Sequence, residues 1–87
     1  MKVNILIVED EVDIREGVSE YLSEVGYNVI SAEDGMQAIE IFNKNKFDLV
    51  ILDIMLPKAN GFIVLNKIRE ESNVPVIMLT AMSDDYT

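Results

Sequence analysis

The chain has 87 residues, 49% hydrophobic and 26% charged, with two prolines, four glycines and no cysteine. That is room for one small globular domain, and it excludes a low-complexity or disulfide-built chain. The formal net charge of −9 repels phosphate backbones and anionic lipid, which sets aside direct binding of nucleic acid or membrane by this segment and favours a metal or cationic ligand.

The first element is the apolar run Val3-Asn4-Ile5-Leu6-Ile7-Val8, a strand that ends in Glu9-Asp10-Glu11. It is too short for the apolar core of a signal peptide, and no stretch reaches transmembrane length. The absence of cysteine fits a reducing cytoplasm. From Ile14 the positions Ile14, Val18, Tyr21, Leu22 and Val25 recur at helical spacing, which predicts a one-faced helix with Arg15, Glu16, Glu20 and Glu24 outside. Gly26 is placed to end it as a C′ glycine.

Asn28 to Ala32 reads as a shorter, more polar strand near a sheet edge. Asp34 then caps a second helix with Met36, Ile39 and Phe42 on one side. Asp34-Gly35 is also a possible hairpin turn, but the residues after it keep helical rather than alternating spacing. Phe47 to Leu52 is the third strand, apolar and β-branched as a strand buried on both faces should be. Asn60 caps a third helix whose Phe62, Leu65 and Ile68 face inward. Val74 to Thr80 is the fourth strand, with Pro75 tolerable at its start.

Strand and helix thus alternate β-α-β-α-β-α-β. Right-handed crossovers then give an α/β fold, a doubly wound parallel sheet with helices on both faces. In such a fold the C-terminal ends of the strands carry the ligand chemistry. Glu9 and Asp10 end the first strand, Asp53 the third, and Thr80 with Ala81 the fourth. Taken singly, Asp53 is a strand-end turn residue, Glu9 and Asp10 favour a helix N-terminus, and Thr80 is an ordinary strand residue. Their convergence is what points to a site. Three neighbouring carboxylates raise one another's pKa unless a cation neutralises them, and hard oxygen donors select Mg²⁺.

At three segments the sequence resembles the receiver domain of bacterial two-component response regulators. These are Ile7-Val8-Glu9-Asp10-Glu11, then Val50-Ile51-Leu52-Asp53-Ile54-Met55-Leu56-Pro57 with Gly61, then Pro75-Val76-Ile77-Met78-Leu79-Thr80-Ala81. The resemblance runs through all 87 residues and implies a flavodoxin-like strand order, 2-1-3-4. It implies that Asp53 accepts a phosphoryl group from a histidine kinase. Glu9, Asp10, Asp53 and the backbone carbonyl of Met55 would hold Mg²⁺. The Thr80 hydroxyl would bond the phosphoryl group and swing toward it, and the Ala81 backbone N–H would help cradle its oxygens. Pro57 and Gly61 would shape the loop above the site.

Residues 1–87 are on this reading the N-terminal portion of a receiver. The family's fourth helix, its fifth strand with a lysine that pairs the phosphoryl group, and its fifth helix have no counterpart here. None of Lys2, Lys44, Lys46, Lys58 or Lys67 stands at an equivalent place, so phosphorylation should be slow or absent. The fourth strand should be an unprotected edge and one sheet face bare, which leads to an expectation of marginal monomer stability and of self-association or element exchange. Three other readings fit less of the sequence. An aspartyl-phosphate hydrolase wants a second acid two residues after the nucleophile, where Met55 stands. A non-catalytic interaction fragment would use the acidic loops and first helix. A nucleotide site lacks a glycine-rich loop after the first strand.

Overall fold

The computed structural model describes residues 2–56 and 60–79. Its elements are β1 (Asn4–Val8), α1 (Val12–Val25), β2 (Asn28–Ala32), α2 (Gly35–Lys44), β3 (Leu49–Asp53), α3 (Gly61–Glu71) and β4 (Val76–Leu79). All strand pairs are parallel, in the order β2-β1-β3-β4. This is the alternating α/β architecture and the strand order expected from the sequence, with the polar β2 at an edge. The hairpin reading of Asp34-Gly35 is excluded: the Asp34 carboxylate accepts the Gln37 N–H at 2.8 Å and opens α2.

The ladder register sorts side chains between two faces. Leu6, Val50 and Val76 stand abreast, as do Val8 and Leu52, with Met78 beside Leu52. With Ala38 of α2 and Val64 and Ile68 of α3 these residues form the main core. Each fully buried aliphatic there contributes roughly 1.5–3 kcal/mol. On the opposite face Ile5 and Ile7 are buried, but Ile77 is 49% and Leu79 37% exposed.

The helices bury narrower arcs than their apolar spacing suggests. On α3 the inward residues are Gly61, Val64 and Ile68, with Leu65 half-buried, while Phe62 is exposed. One residue is about 100° of helix, so Phe62 falls off the arc that Gly61 starts. On α2 the buried positions are Gly35 and Ala38, with Ile39, Ile41 and Phe42 half-buried, and Met36 lies out on the shoulder. α1 buries no residue fully; Val18 and Leu22 are half-covered, whereas Ile14, Tyr21 and Val25 are exposed. This helix packs on β1 and β2, so its apolar stripe is wider than the surface it meets.

Local chemistry fixes the helix ends. Gly26 takes φ 121° and its N–H reaches the carbonyls of Leu22 and Ser23 at 3.2 and 3.1 Å, closing α1 with a left-handed residue. Asn60 accepts the Ile63 N–H at 3.1 Å and starts α3. β3 begins two residues later than the sequence suggests and includes Asp53. Phe47 instead stacks on Phe42 with ring centroids 6.0 Å apart, and the Asp48 carboxylate accepts the Asn4 N–H at 2.8 Å. Among the described residues, no helix is long and apolar enough to cross a membrane.

Candidate functional site

Two strand ends build the site. The Glu9 N–H donates to the Ala32 carbonyl at 3.0 Å, and the Ile54 N–H donates to the Leu79 carbonyl at 2.9 Å. Each neighbouring strand thereby fixes the residue that follows the ladder. Val8 pairs with Leu52, so one further step sets Glu9 beside Asp53. Both side chains are buried, Glu9 at 5% and Asp53 at 4% exposure, while Asp10 stands exposed at the rim.

One carboxylate oxygen from each of Glu9, Asp10 and Asp53 lies within 4.8 Å of the others. They open into a cleft of about 420 Å³ whose remaining walls are Glu11, Ile14, Met55 and Leu79. Backbone donors orient the acids. The Met55 N–H donates to Asp53 Oδ1 at 3.1 Å, and the Glu11 N–H donates to Glu9 Oε2 at 3.1 Å. Burial holds the Glu9 carboxyl above its ordinary value. The Glu11 N–H works the other way, and the charges of Asp53 and Asp10 push it further up. A buried acid crowded by two others favours a proton or a cation, and an all-oxygen donor set matches a hard divalent ion. The residues present therefore fit Mg²⁺.

Glu9, Asp10 and Asp53 are thus brought together as the sequence pattern predicts, and Met55 lies on the same cleft. Thr80, Ala81 and Pro57 lie outside the described residues. Gly61 proves to be more than a turn residue. A Cβ added there would stand 2.6 Å from the Asp53 carbonyl oxygen and 2.7 Å from Ile54 Cα, and the Gly61 N–H donates to the Ile54 carbonyl at 2.8 Å. The start of α3 is therefore seated directly on the backbone that carries Asp53.

Arg15 is the residue that helical periodicity misplaced. Its position in the α1 pattern marks it as solvent-facing, yet Nη1 donates to the Glu9 carbonyl at 2.8 Å and to the Asp10 carbonyl at 3.4 Å. One signal was available: a cation in the first turn of a helix opposes the macrodipole, so something else must hold it there.

The chain matches the response regulator receiver domain family over residues 5–87. The chain belongs to that family. This receiver is 49% identical over 83 residues to a probable transcriptional regulator, ycf27, of Porphyridium aerugineum, covering 95% of this chain and 35% of that protein. It is 44% identical over 85 residues to the response regulator RR06 of Streptococcus pneumoniae, covering 98% of this chain and 39% of the relative. The chain therefore spans between about a third and two-fifths of the length of these relatives. Among solved structures, the Thermotoga maritima response regulator TrrA, in complex with Mg²⁺-BeF, shares 44% identity and superposes with a TM-score of 0.86, over 95% of this chain and 72% of that one. The Vibrio cholerae chemotaxis protein CheY4 shares 32% identity with a TM-score of 0.90, over 99% of this chain and 74% of that one. The receiver is a signalling domain of two-component systems.

Proposed function

We propose that Asp53 accepts a phosphoryl group from a histidine kinase, with Mg²⁺ held by Glu9, Asp10, Asp53 and the backbone carbonyl of Met55. The observation that carries this reading is the convergence of the three carboxylates, two of them buried, at the C-terminal edge of β1 and β3. The complex of TrrA with Mg²⁺-BeF supports the choice of ion. Asp53 is the nucleophile. Met55 N–H occupies Oδ1, which leaves Oδ2 to form the new bond to phosphorus as the P–N bond of a phosphohistidine breaks and the imidazole nitrogen keeps the electron pair. Bound Mg²⁺ supplies positive charge against the carboxylates and the phosphoryl oxygens. Glu9 and Asp10 contribute as ionised oxygen donors, and because burial and the neighbouring acids raise the Glu9 carboxyl, the cation competes with a proton there.

Thr80 and Ala81 belong to the same proposal as the hydroxyl and N–H donors to the transferred group. The chemistry is self-phosphorylation and self-dephosphorylation rather than turnover of a released substrate, and the setting is cytoplasmic. Control of transcription, suggested by the names of the curated relatives, is a proposal for the longer protein.

Intact-mass measurement after incubation with acetyl phosphate and Mg²⁺ tests the assignment. The expected result is gain of one phosphoryl mass that is lost in Asp53→Asn. No gain in the wild type contradicts the assignment.

A second reading, self-association through β4 and the face it leaves open, draws on the exposure of Ile77 and Leu79. Concentration-dependent sedimentation at micromolar protein tests it, and a monomer throughout that range removes it.

A further inference from the structure

We propose that Arg15 is a positioning residue for the acid cluster, holding the carbonyls of Glu9 and Asp10 so that their carboxylates stay directed at Asp53. The inference rests on the metal-site reading given above and concerns a residue outside the donor set.

Arg15 lies one turn into α1, and its Nη1 reaches back over six and five residues to two successive carbonyls, at 2.8 and 3.4 Å. Those carbonyls belong to the residues that supply two of the three converging carboxylates. The segment needs such a hold. Glu11, at the N-cap position of α1, makes no side-chain capping bond, so the bond from the Glu11 N–H to Glu9 Oε2 stands without the usual cap in the turn from β1 into α1. Asp10 is exposed, and among the described residues no hydrogen bond or ion pair holds its carboxylate.

Cost and placement argue the same way. A guanidinium in the first turn faces the positive end of the helix dipole, which works against it. Two carbonyl acceptors offset that, because hydrogen bonds from a charged donor are stronger than neutral ones. Arg69 shows the same device at the other end of the sheet, donating to the Val74 carbonyl at 2.6 Å and the Ser72 carbonyl at 3.3 Å. There it ties α3 to the entry of β4, away from any acid cluster.

Charge and positioning predict opposite signs, which makes the idea testable. A guanidinium near a cation site repels the cation, so if charge alone mattered, removing it would tighten metal binding. If positioning dominates, removing it loosens binding despite the added negative charge. Mn²⁺ binding to the 87-residue chain, followed by electron paramagnetic resonance of the free ion, is compared for wild type, Arg15→Gln, Arg15→Lys and Arg69→Gln. Arg69→Gln makes the same charge change and loses an equivalent backbone tie.

The expected result is a more than threefold loss of Mn²⁺ affinity in Arg15→Gln, a smaller loss in Arg15→Lys, and Arg69→Gln within twofold of wild type. Arg15→Gln within twofold of wild type, or tighter, overturns the proposal. A second readout needs no metal. The amide resonances of Asp10 and Glu11 in the metal-free chain should shift in Arg15→Gln and stay in place in Arg69→Gln. Unmoved resonances overturn the positioning role. A wild type that binds no Mn²⁺ instead indicts the metal-site reading, and the resonances then decide about Arg15 alone.

Discussion

The two faces of the sheet are built from equally apolar strands and end up very differently covered. On the face toward α2 and α3, Leu6, Val8, Val50 and Leu52 have no exposed surface. On the face toward α1, Ile5 and Ile7 are buried but Ile77 and Leu79 are open, two strands away. The reason is coverage among the described residues: α2 and α3 both pack on the first face, while α1 packs mainly on β1 and β2. Strand composition therefore reports what a face is made for, and the burial achieved depends on which helices lie over it. The candidate site sits at the edge of the sparsely covered side, since Asp53 stands abreast of Leu79 in the ladder.

Substitutions can break this comparison. The largest effect is expected from Leu6→Ala, which should cost about 2–5 kcal/mol in urea unfolding, because a fully buried leucine leaves a cavity that the well-covered face cannot close. That loss is a large part of the total stability of so small a domain. Next comes a pair of glycine substitutions. Gly61→Ala should cost about 1–3 kcal/mol and weaken Mg²⁺ binding, since its methyl group collides with the backbone of Asp53 and Ile54. Gly17→Ala, where nothing lies within 4 Å of an added Cβ, should instead stabilise α1 by about 0.5–1 kcal/mol. Smallest is Ile77→Lys on the open face, expected to change monomer unfolding by less than about 0.5 kcal/mol. A loss at Ile77 as large as that at Leu6 would mean that the open face is covered in solution.

Much of this was legible in the sequence, for identifiable reasons. Apolar runs ending in acids located β1 and β3. Gly26, Asp34 and Asn60 marked helix boundaries because each satisfies a specific orphan backbone group. The register of a parallel sheet then brought Glu9 and Asp53 together with no further information. The inward faces of the helices were less legible. Phe62 and Met36 were expected inside on their apolar spacing, yet Val64 and Ala38 hold the inward arcs; the close seat of Gly61 sets the rotation of α3, and on α2 the buried positions are Gly35 and Ala38. Arg15 was read as surface for a similar reason: periodicity describes a helix in isolation and carries no information about a loop to which a long side chain can reach back. The closeness of Gly61 to Asp53 is a through-space contact that sequence spacing does not encode.

The acid cluster also gives the fold a pH dependence. Burial raises the Glu9 carboxyl, with Asp53 and Asp10 adding to it, so the folded chain binds this proton more tightly than the unfolded one. The stabilisation is complete below the ordinary carboxylate value and is lost as pH rises through the raised value of Glu9. On the proposed metal-site reading, a divalent cation would take the proton's place above that range and restore stability by mass action.

The most direct test of the account is therefore the thermal midpoint of the chain with and without Mg²⁺, at neutral and at acid pH. The predicted result is a rise with Mg²⁺ at pH 7 that vanishes when Glu9 is protonated and is lost in Asp53→Asn. A midpoint that Mg²⁺ leaves unchanged at neutral pH, or raises equally in Asp53→Asn, would contradict the claim that Glu9, Asp10 and Asp53 form one cation site.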